Sequence, residues 1–191
     1  MGKYRMTAKT NRKFLSMDEV QRLFDAIPDH KNTVRDKCML LVCFIHGLRV
    51  SELCNLRLQD LDLLSNKLYV NRLKNGFSVQ HPIQPREQSA LVSWLSMRPQ
   101  YLEADSDFLF LSRQGGRLSR QQIHRLIREY GELAGLNVPV HPHMLRHSCG
   151  YALADEGIDT RLIQDYLGHR NIQNTVIYTA SNAKRFRSIR I

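Results

Sequence analysis

The sequence lacks the features of membrane, secreted and nucleotide-binding proteins. No run approaches the roughly 18 to 20 apolar residues that a membrane span needs. The basic start, residues 1–14, is not followed by the apolar stretch of a secretory signal. No glycine-rich phosphate loop is present. The four cysteines form no Cys-x-x-Cys pair, which favours buried free thiols in a reducing compartment over disulfides or zinc ligands. We therefore expect a cytoplasmic protein without membrane contact.

Acidic residues are missing from both ends of the chain. Residues 1–16 and 166–191 each carry five Lys or Arg and no Asp or Glu. Residues 17–165 are balanced, so the formal net charge of +10 lies entirely on the ends. Basic ends beside a neutral body favour contact with a polyanion, because each neutralised phosphate releases counterions. Solubilising tails are the alternative.

Periodicity predicts a mainly helical chain with one small antiparallel sheet. A helix over 32–47 is apolar nearly all round at its centre, which places it in the core. Residues 67–72 and 78–83 alternate like two strands, and Asn75-Gly76 between them is a hairpin signal. Helix starts are predicted from the capping residues Ser16, Ser51, Ser119 and Thr160. Further helices are predicted over 86–97, 119–134, 142–155, 160–168 and 172–180.

The densest group of chemically active side chains is His141–His147. On a helix, residues three apart share a face, so His143 and Arg146 can address one ligand together. A metal site is the alternative, but no nearby carboxylate or thiolate completes a usual ligand set, so a phosphate clamp is favoured. Taken singly, Arg49 is typical of a surface charge, His169 of a residue at a capped helix end, and Tyr178 of a half-buried side chain that anchors a helix.

The order of these residues carries more information than any one of them. Arg49 falls in a turn between helices and Lys74 in the hairpin turn. His143-x-x-Arg146 follows on a helix, then Gly168-His169, then Tyr178. This pattern resembles that of the tyrosine recombinases, and the resemblance covers about residues 16–180. Residues 72–77 (RLKNGF) and 161–172 (RLIQDYLGHRNI) also resemble the fimbrial phase-variation recombinases of enterobacteria, which invert a promoter-bearing DNA segment.

The resemblance implies an enzyme that cleaves and rejoins DNA through a 3′-phosphotyrosyl intermediate, with no cofactor, metal or ATP. Tyr178 is expected to attack the scissile phosphate, which Arg49 and Arg146 clamp. Guanidinium suits this role because its planar donors match phosphate oxygens and stay charged. Lys74 is the expected general acid, and the remaining expected catalytic residues are His143 and His169.

The resemblance also implies the partners and the domain organisation. Double-stranded DNA with inverted-repeat sites is the expected substrate. It would be bound by a homo-oligomer, a dimer per site and a tetramer in synapsis. DNA-bending accessory proteins are further candidate partners. A basic arm (1–15), a catalytic domain (16–180) and a basic tail (181–191) are expected. The candidate DNA contacts are Lys3, Arg5, Arg12, Lys13, Arg72, Arg113, Arg117, Arg120 and Arg125.

Three other functions remain open from the sequence. One is a DNA-binding transcriptional regulator that keeps the fold without the reaction. Another is DNA relaxation of the type IB topoisomerase kind, which uses the same chemistry without partner exchange. The third is a metal-dependent nuclease built on the histidines.

Overall fold

The computed structural model describes residues 12–72 and 78–180. These residues form the helices α1 (Met17–Asp25), α2 (Thr33–Ile45), α3 (Val50–Asn55), α4 (Pro85–Met97), α5 (Arg120–Leu133), α6 (Pro142–Asp155), α7 (Thr160–Leu167) and α8 (Gln173–Ala180). The strands β1 (Leu61–Asp62), β2 (Lys67–Val70) and β3 (Val79–Pro82) form one antiparallel sheet in that order. The predicted fold class is confirmed. In the described ranges, no helix has the length and apolar character to cross a membrane.

Helix α2 lies at the centre of the core, as its apolar sequence predicts. It packs against α4 and α6. It is shorter than the predicted 32–47, because the chain leaves the helix after Ile45 and Gly47 adopts a φ of +55°. A Cβ at Gly47 would lie 2.4 Å from the side chain of Leu167, so only glycine lets α7 come this close to the end of α2. The fully buried residues of α2 include Cys38, Met39, Leu40 and Val42.

The predicted hairpin is present as strands β2 and β3. Leu68 pairs with His81, and Val70 pairs with Val79. Leu68 and Val70 are fully buried while Tyr69 between them is exposed, which is the alternation of a strand with one face on the core. The short strand β1 was not predicted, and the predicted Asn75-Gly76 turn lies outside the described residues.

Two of the predicted helix caps are confirmed. The side chain of Ser16 accepts a hydrogen bond from the backbone of Glu19, whose carboxylate bonds back to Ser16. Ser119 and Gln122 form the same reciprocal pair at the start of α5. These short polar signals are local, which is why sequence alone suffices to find them.

The other two caps were assigned to the wrong residue. Ser51 lies inside α3, which begins at Val50, and Arg49 occupies the capping position. Thr160 is likewise the first residue of α7, and the carboxylate of Asp159 accepts the free backbone N–H groups there. Both errors come from choosing a hydroxyl residue over a nearby one, although Asp159 is also a favoured capping residue and Glu52 follows Arg49 by three positions.

The four cysteines are buried free thiols, as predicted. Burial raises the pKa of Cys149 to about 12 and that of Cys54 to about 11. These two thiols are therefore protonated at neutral pH and poor nucleophiles.

The segment before α1 is tied to α6 by one buried serine. The backbone N–H of Leu15 donates to Ser148 Oγ at 2.8 Å, and that hydroxyl lies 2.9 Å from Leu15 O. Phe14 packs on Tyr151, one turn further along α6, with ring centroids 4.0 Å apart. The segment thus reaches the helix that carries His143 and Arg146.

We predict that Ser148→Ala destabilises the protein by about 1–3 kcal/mol, because it leaves the buried Leu15 N–H without a partner. The free energy of unfolding from urea titrations measures the effect. Ser93→Ala is the matched control, since Ser93 makes its backbone hydrogen bond on an exposed face of α4. Equal stability of the two variants would contradict the prediction.

Candidate active site

Glu52, in the first turn of α3, contacts three arginines. One carboxylate oxygen lies 2.8 Å from Arg49 Nη1, and the other lies 2.8 Å from Arg72 Nη1 and 4.0 Å from Arg146 Nη1. Its side chain is only 1% exposed. Three guanidinium groups close together repel one another strongly where water is excluded, so a buried carboxylate between them is required for the cluster to exist.

The C-terminal end of α7 binds the same three arginines from another side. Each arginine donates to one of three consecutive carbonyl oxygens: Arg72 to Tyr166, Arg146 to Leu167 at 2.6 Å and Arg49 to Gly168 at 3.4 Å. The last carbonyls of a helix have no partners within it and carry partial negative charge. Gly168 adopts a φ of +65° and ends the helix there. The helix end therefore acts as a second counter-charge beside Glu52.

The three arginines differ in their access to solvent. The side chain of Arg49 is 36% exposed, whereas those of Arg72 and Arg146 are buried. Burial and the charges of Arg49 and Arg72 lower the pKa of Arg146 to about 10, which still leaves it charged at neutral pH. Arg146 also donates to Gly47 O at 2.5 Å. A guanidinium has five N–H donors, so Arg146 and Arg49 each keep some for a further acceptor.

Tyr178, on α8, lies in the same cluster. Its side chain is buried, and its hydroxyl is 2.9 Å from Nδ1 of His147. Burial raises the pKa of Tyr178 to about 12, against an opposing effect of Arg146. Burial, His143 and Arg146 lower the pKa of His147 to about 4. The hydrogen bond therefore joins a neutral imidazole and a neutral phenol.

The two histidines predicted with Tyr178 lie close to it. The ring of His169 stacks on that of Tyr178 with centroids 6.3 Å apart, and its Nδ1 lies 2.9 Å from Thr175 Oγ1. His143 is exposed and meets the ring of His147 edge-on at 4.6 Å. Arg49, His143, Arg146, His169 and Tyr178 are thus linked by direct contacts or through one intervening residue. Lys74 lies outside the described residues.

Two residues of the cluster were missed from the sequence. Glu52 follows Arg49 by three residues, and its spacing on a helix start was a usable signal. His147 follows His143 by four residues and so shares its helix face. Spacing alone does not show which carboxylate meets the arginines or which imidazole meets the phenol.

Arg72 does not fit the predicted role of a DNA contact. Its side chain is fully buried between Glu52 and the end of α7. Its pKa is lowered by burial, with Glu52 opposing that effect. A guanidinium enclosed by protein on all sides is a structural element of the arginine cluster, which sequence reasoning could not distinguish from a surface residue of a hairpin.

Of the four arginines predicted to contact DNA in or just before α5, two have side chains bonded to other residues and two are exposed. Arg113 stacks on the ring of Tyr101 at 4.0 Å and donates to Asn32 Oδ1 at 2.9 Å. Arg117 donates to the side chain of Asn55. Arg120 and Arg125 are exposed. Arg117 and Arg120 line a cleft of about 520 Å³ beside α3.

The described part of the basic arm borders the histidines. Arg12 pairs with Glu19 at 2.5 Å, and Lys13 is exposed. Both line a cleft of about 420 Å³ together with His143 and His147. The charge of Lys13 helps to lower the pKa of both histidines. Lys3 and Arg5 lie outside the described residues. Among residues 12–72 and 78–180, no three His, Cys, Asp or Glu side chains are placed to hold a metal ion.

Comparison with known families identifies this arrangement. The family described as "Phage integrase family" matches residues 13–185. The chain belongs to the phage integrase family. The predicted membership among tyrosine recombinases is confirmed by this match and by relatives that carry that name.

Two relatives of similar length to this chain are fimbrial proteins. The chain is 54% identical to the type 1 fimbriae regulatory protein FimB of Escherichia coli K12, covering 93% of this chain and 89% of FimB. It is 51% identical to FimE of the same strain, with 93% and 90% covered. Both identities support the predicted likeness to the fimbrial recombinases.

Xer recombinases have the same fold with additional length. The chain is 36% identical to the tyrosine recombinase XerA of Pyrococcus furiosus, covering 94% of this chain and 61% of that protein. A crystal structure of XerA recombinase superposes with a TM-score of 0.79 at 33% identity, over 97% of this chain and 64% of that one. A XerH complex with its difH substrate superposes with a TM-score of 0.78 at 23% identity, over 96% and 55%, and shows the shared fold.

We predict that the protein loses stability as the pH falls below about 6.5. Burial lowers the pKa of His147 to about 4 and that of His169 to about 3, from 6.5. In that range the unfolded chain binds protons that the folded chain does not, so the folded state loses free energy relative to it. Urea titrations from neutral pH down to about pH 4 measure this. His147→Gln should flatten the slope, and a slope unchanged by the substitution would contradict the assignment.

Proposed function

We propose that this chain is a site-specific DNA recombinase that inverts a promoter-bearing DNA segment and so switches fimbrial gene expression. The observation that carries the proposal is the contact of Tyr178 with His147 and His169 beside the arginines held by Glu52. Family membership supports the recombinase activity. The identity to two type 1 fimbriae regulatory proteins supports the biological role.

In the proposed reaction, the phenol oxygen of Tyr178 attacks the scissile phosphorus. The new bond joins phosphorus to the Tyr178 oxygen, and the bond from phosphorus to the 5′-oxygen breaks. The phenol loses a proton, and the departing 5′-oxygen gains one. Rejoining reverses these steps with a different 5′-hydroxyl, so the number of phosphodiester bonds is unchanged and no ATP is consumed.

Arg49 and Arg146 are the proposed clamp for the non-bridging oxygens. Negative charge accumulates on those oxygens as the tyrosine attacks, and positioned guanidinium groups stabilise it more in the transition state than in the ground state. Glu52 and the end of α7 fix both groups before DNA arrives. Little reorganisation is then needed when the phosphate binds.

The proposed proton transfers involve Lys74 and the histidines. Lys74 donates a proton to the 5′-oxygen as general acid. His147 holds the phenol hydroxyl through its neutral Nδ1, and His143 and His169 donate hydrogen bonds to the phosphate. The raised pKa of Tyr178 keeps the phenol protonated until DNA is bound. Cationic groups around the bound phosphate then favour the phenolate.

The proposed substrate is double-stranded DNA with inverted-repeat sites. Protomers act as a dimer on each site and a tetramer in synapsis, in the cytoplasm with the nucleoid, with or without DNA-bending proteins. Exposed Arg120 and Arg125, within the proposed catalytic domain (16–180), and exposed Lys13 of the arm contact DNA phosphates. The basic residues of the arm (1–15) and tail (181–191) extend these contacts.

We predict that Tyr178→Phe abolishes inversion of a plasmid-borne segment between candidate inverted repeats, because it removes the nucleophile. Loss of such a residue lowers activity by several orders of magnitude. Restriction mapping of the plasmid gives the orientation. Tyr101→Phe is the control. It removes a tyrosine hydroxyl that donates to Asn32, directly before α2, and this variant should invert the segment normally. Inversion by Tyr178→Phe would refute the proposal. Relaxation of supercoils without inversion by the wild-type protein would favour the topoisomerase alternative.

A further inference from the structure

The three carbonyls that hold the arginines belong to consecutive residues, beginning with Tyr166. A shift of this last turn of α7 would move all three acceptors together. Whatever fixes Tyr166 therefore fixes one side of the arginine cluster. His169, which stacks on Tyr178, follows directly in the chain and would move with it.

The side chain of Tyr166 is held at both its face and its hydroxyl. Its ring stacks on the ring of His81 from β3, with centroids 3.8 Å apart and planes 16° apart. Its hydroxyl donates to Ile45 O, at the end of α2, at 3.0 Å. Burial raises its pKa, so the hydroxyl keeps its proton and remains a donor. α7 is thus anchored to both the sheet and the central helix.

His81 is fixed in turn by a buried chain of polar groups. Its Nδ1 lies 3.0 Å from Nδ1 of His46, and Nε2 of His46 lies 2.5 Å from a carboxylate oxygen of Glu87. His46 and Glu87 are fully buried. Each of these two contacts is a hydrogen bond between polar ring or carboxylate atoms, so His81, His46 and Glu87 are bonded in series. Groups from α4, α2 and β3 thereby define the plane of the His81 ring.

A contribution to the stability of the fold does not by itself account for the buried series His81, His46 and Glu87. Taking two imidazoles and a carboxylate out of water is costly, and apolar side chains of similar volume often stabilise a core as well or better. Within the described residues, Nε2 of His81 has no hydrogen-bond partner, and neither does Nε of Arg72. Burial, His46 and Arg72 lower the pKa of His81 to about 2, so the ring that stacks on Tyr166 is neutral.

We propose that His81 and Tyr166 are positioning residues for recombination. They fix the end of α7 so that its three terminal carbonyls hold Arg72, Arg146 and Arg49 where a phosphate can bind. The ring stack is the critical contact, and the chain through His46 to Glu87 keeps the stacking ring in place. This inference rests on the proposed function, because its effect is on the cleavage step.

Two substitutions of His81 separate the stack from the hydrogen bond. His81→Asn keeps a polar group able to bond His46 but removes the ring. His81→Phe keeps a ring for Tyr166 but removes the bond. The readouts are the DNA dissociation constant and the rate of covalent adduct formation at saturating DNA, on a site nicked near the cleavage position. Misplacing a reacting group by 1 Å can cost roughly 100-fold in rate.

We expect His81→Asn to slow adduct formation at saturating DNA by about tenfold or more, and His81→Phe to recover most of that loss. A lower thermal stability with a wild-type rate at saturating DNA would reduce His81 to a structural residue and overturn the proposal. Equal rates for the two variants would also contradict a role for the stack.

Tyr166→Phe tests the same anchor with a milder change, should His81→Asn fail to fold. It removes only the hydroxyl bonded to Ile45 O, and Tyr101→Phe is its match, since Tyr101 also donates from a tyrosine hydroxyl to a neighbouring segment. We expect slower adduct formation in Tyr166→Phe alone. Equal rates in both variants would contradict the anchor.

A wild-type protein that forms no adduct would refute the proposed function instead. In that case, a crystal structure of His81→Asn tests whether His81 holds the end of α7 against the arginines. Loss of at least one of the three bonds between the α7 carbonyls and the arginines supports the inference. An unchanged set of bonds overturns it.

Discussion

Three guanidinium groups share one small, largely dry volume, and the rest of the site depends on how their repulsion is offset. Glu52 supplies one full negative charge, and the carbonyls at the end of α7 supply partial charges. Neither is sufficient by itself: a single carboxylate does not satisfy three cations, and helix carbonyls carry no net charge. In the proposed function, the incoming DNA phosphate supplies the remaining negative charge, so the arginines can bind it without being rearranged.

The need to offset the charge of three guanidinium groups explains why distant parts of the chain meet at this site. Arg49 is placed by the turn after α2, Arg72 by the segment directly after β2, and Arg146 by the buried face of α6. Tyr178 lies against α6, where a Cβ on Gly150 would come within 2.6 Å of its ring, so only glycine permits the contact. The phenol is thereby close enough to Arg146 for that charge to affect its pKa. In the absence of DNA it is held by neutral His147.

The sequence predicted those features whose causes are local. The buried helix α2, the hairpin strands and two capping boxes follow from short patterns, and the order of Arg49, His143, Arg146, His169 and Tyr178 indicated the family. Long-range partners were not predictable. Arg72 looked like a hairpin surface residue, because nothing near it in sequence shows that Glu52 encloses it. The pairing of Tyr166 with His81 joins residues more than eighty positions apart. The catalytic and DNA-binding roles assigned from the sequence remain predictions, among them those of Lys74, Lys3 and Arg5, which lie outside the described residues.

In the proposed reaction, the oxygen of Tyr178 becomes covalently joined to DNA. The most direct test traps the wild-type protein on a site nicked close to the cleavage position, digests the complex with protease and nuclease, and identifies the modified peptide by mass spectrometry. We expect a nucleotide remnant, linked through its 3′-phosphate, on the peptide that contains Tyr178. A remnant on any other residue, or cleavage of the DNA without a protein-linked product, would contradict it.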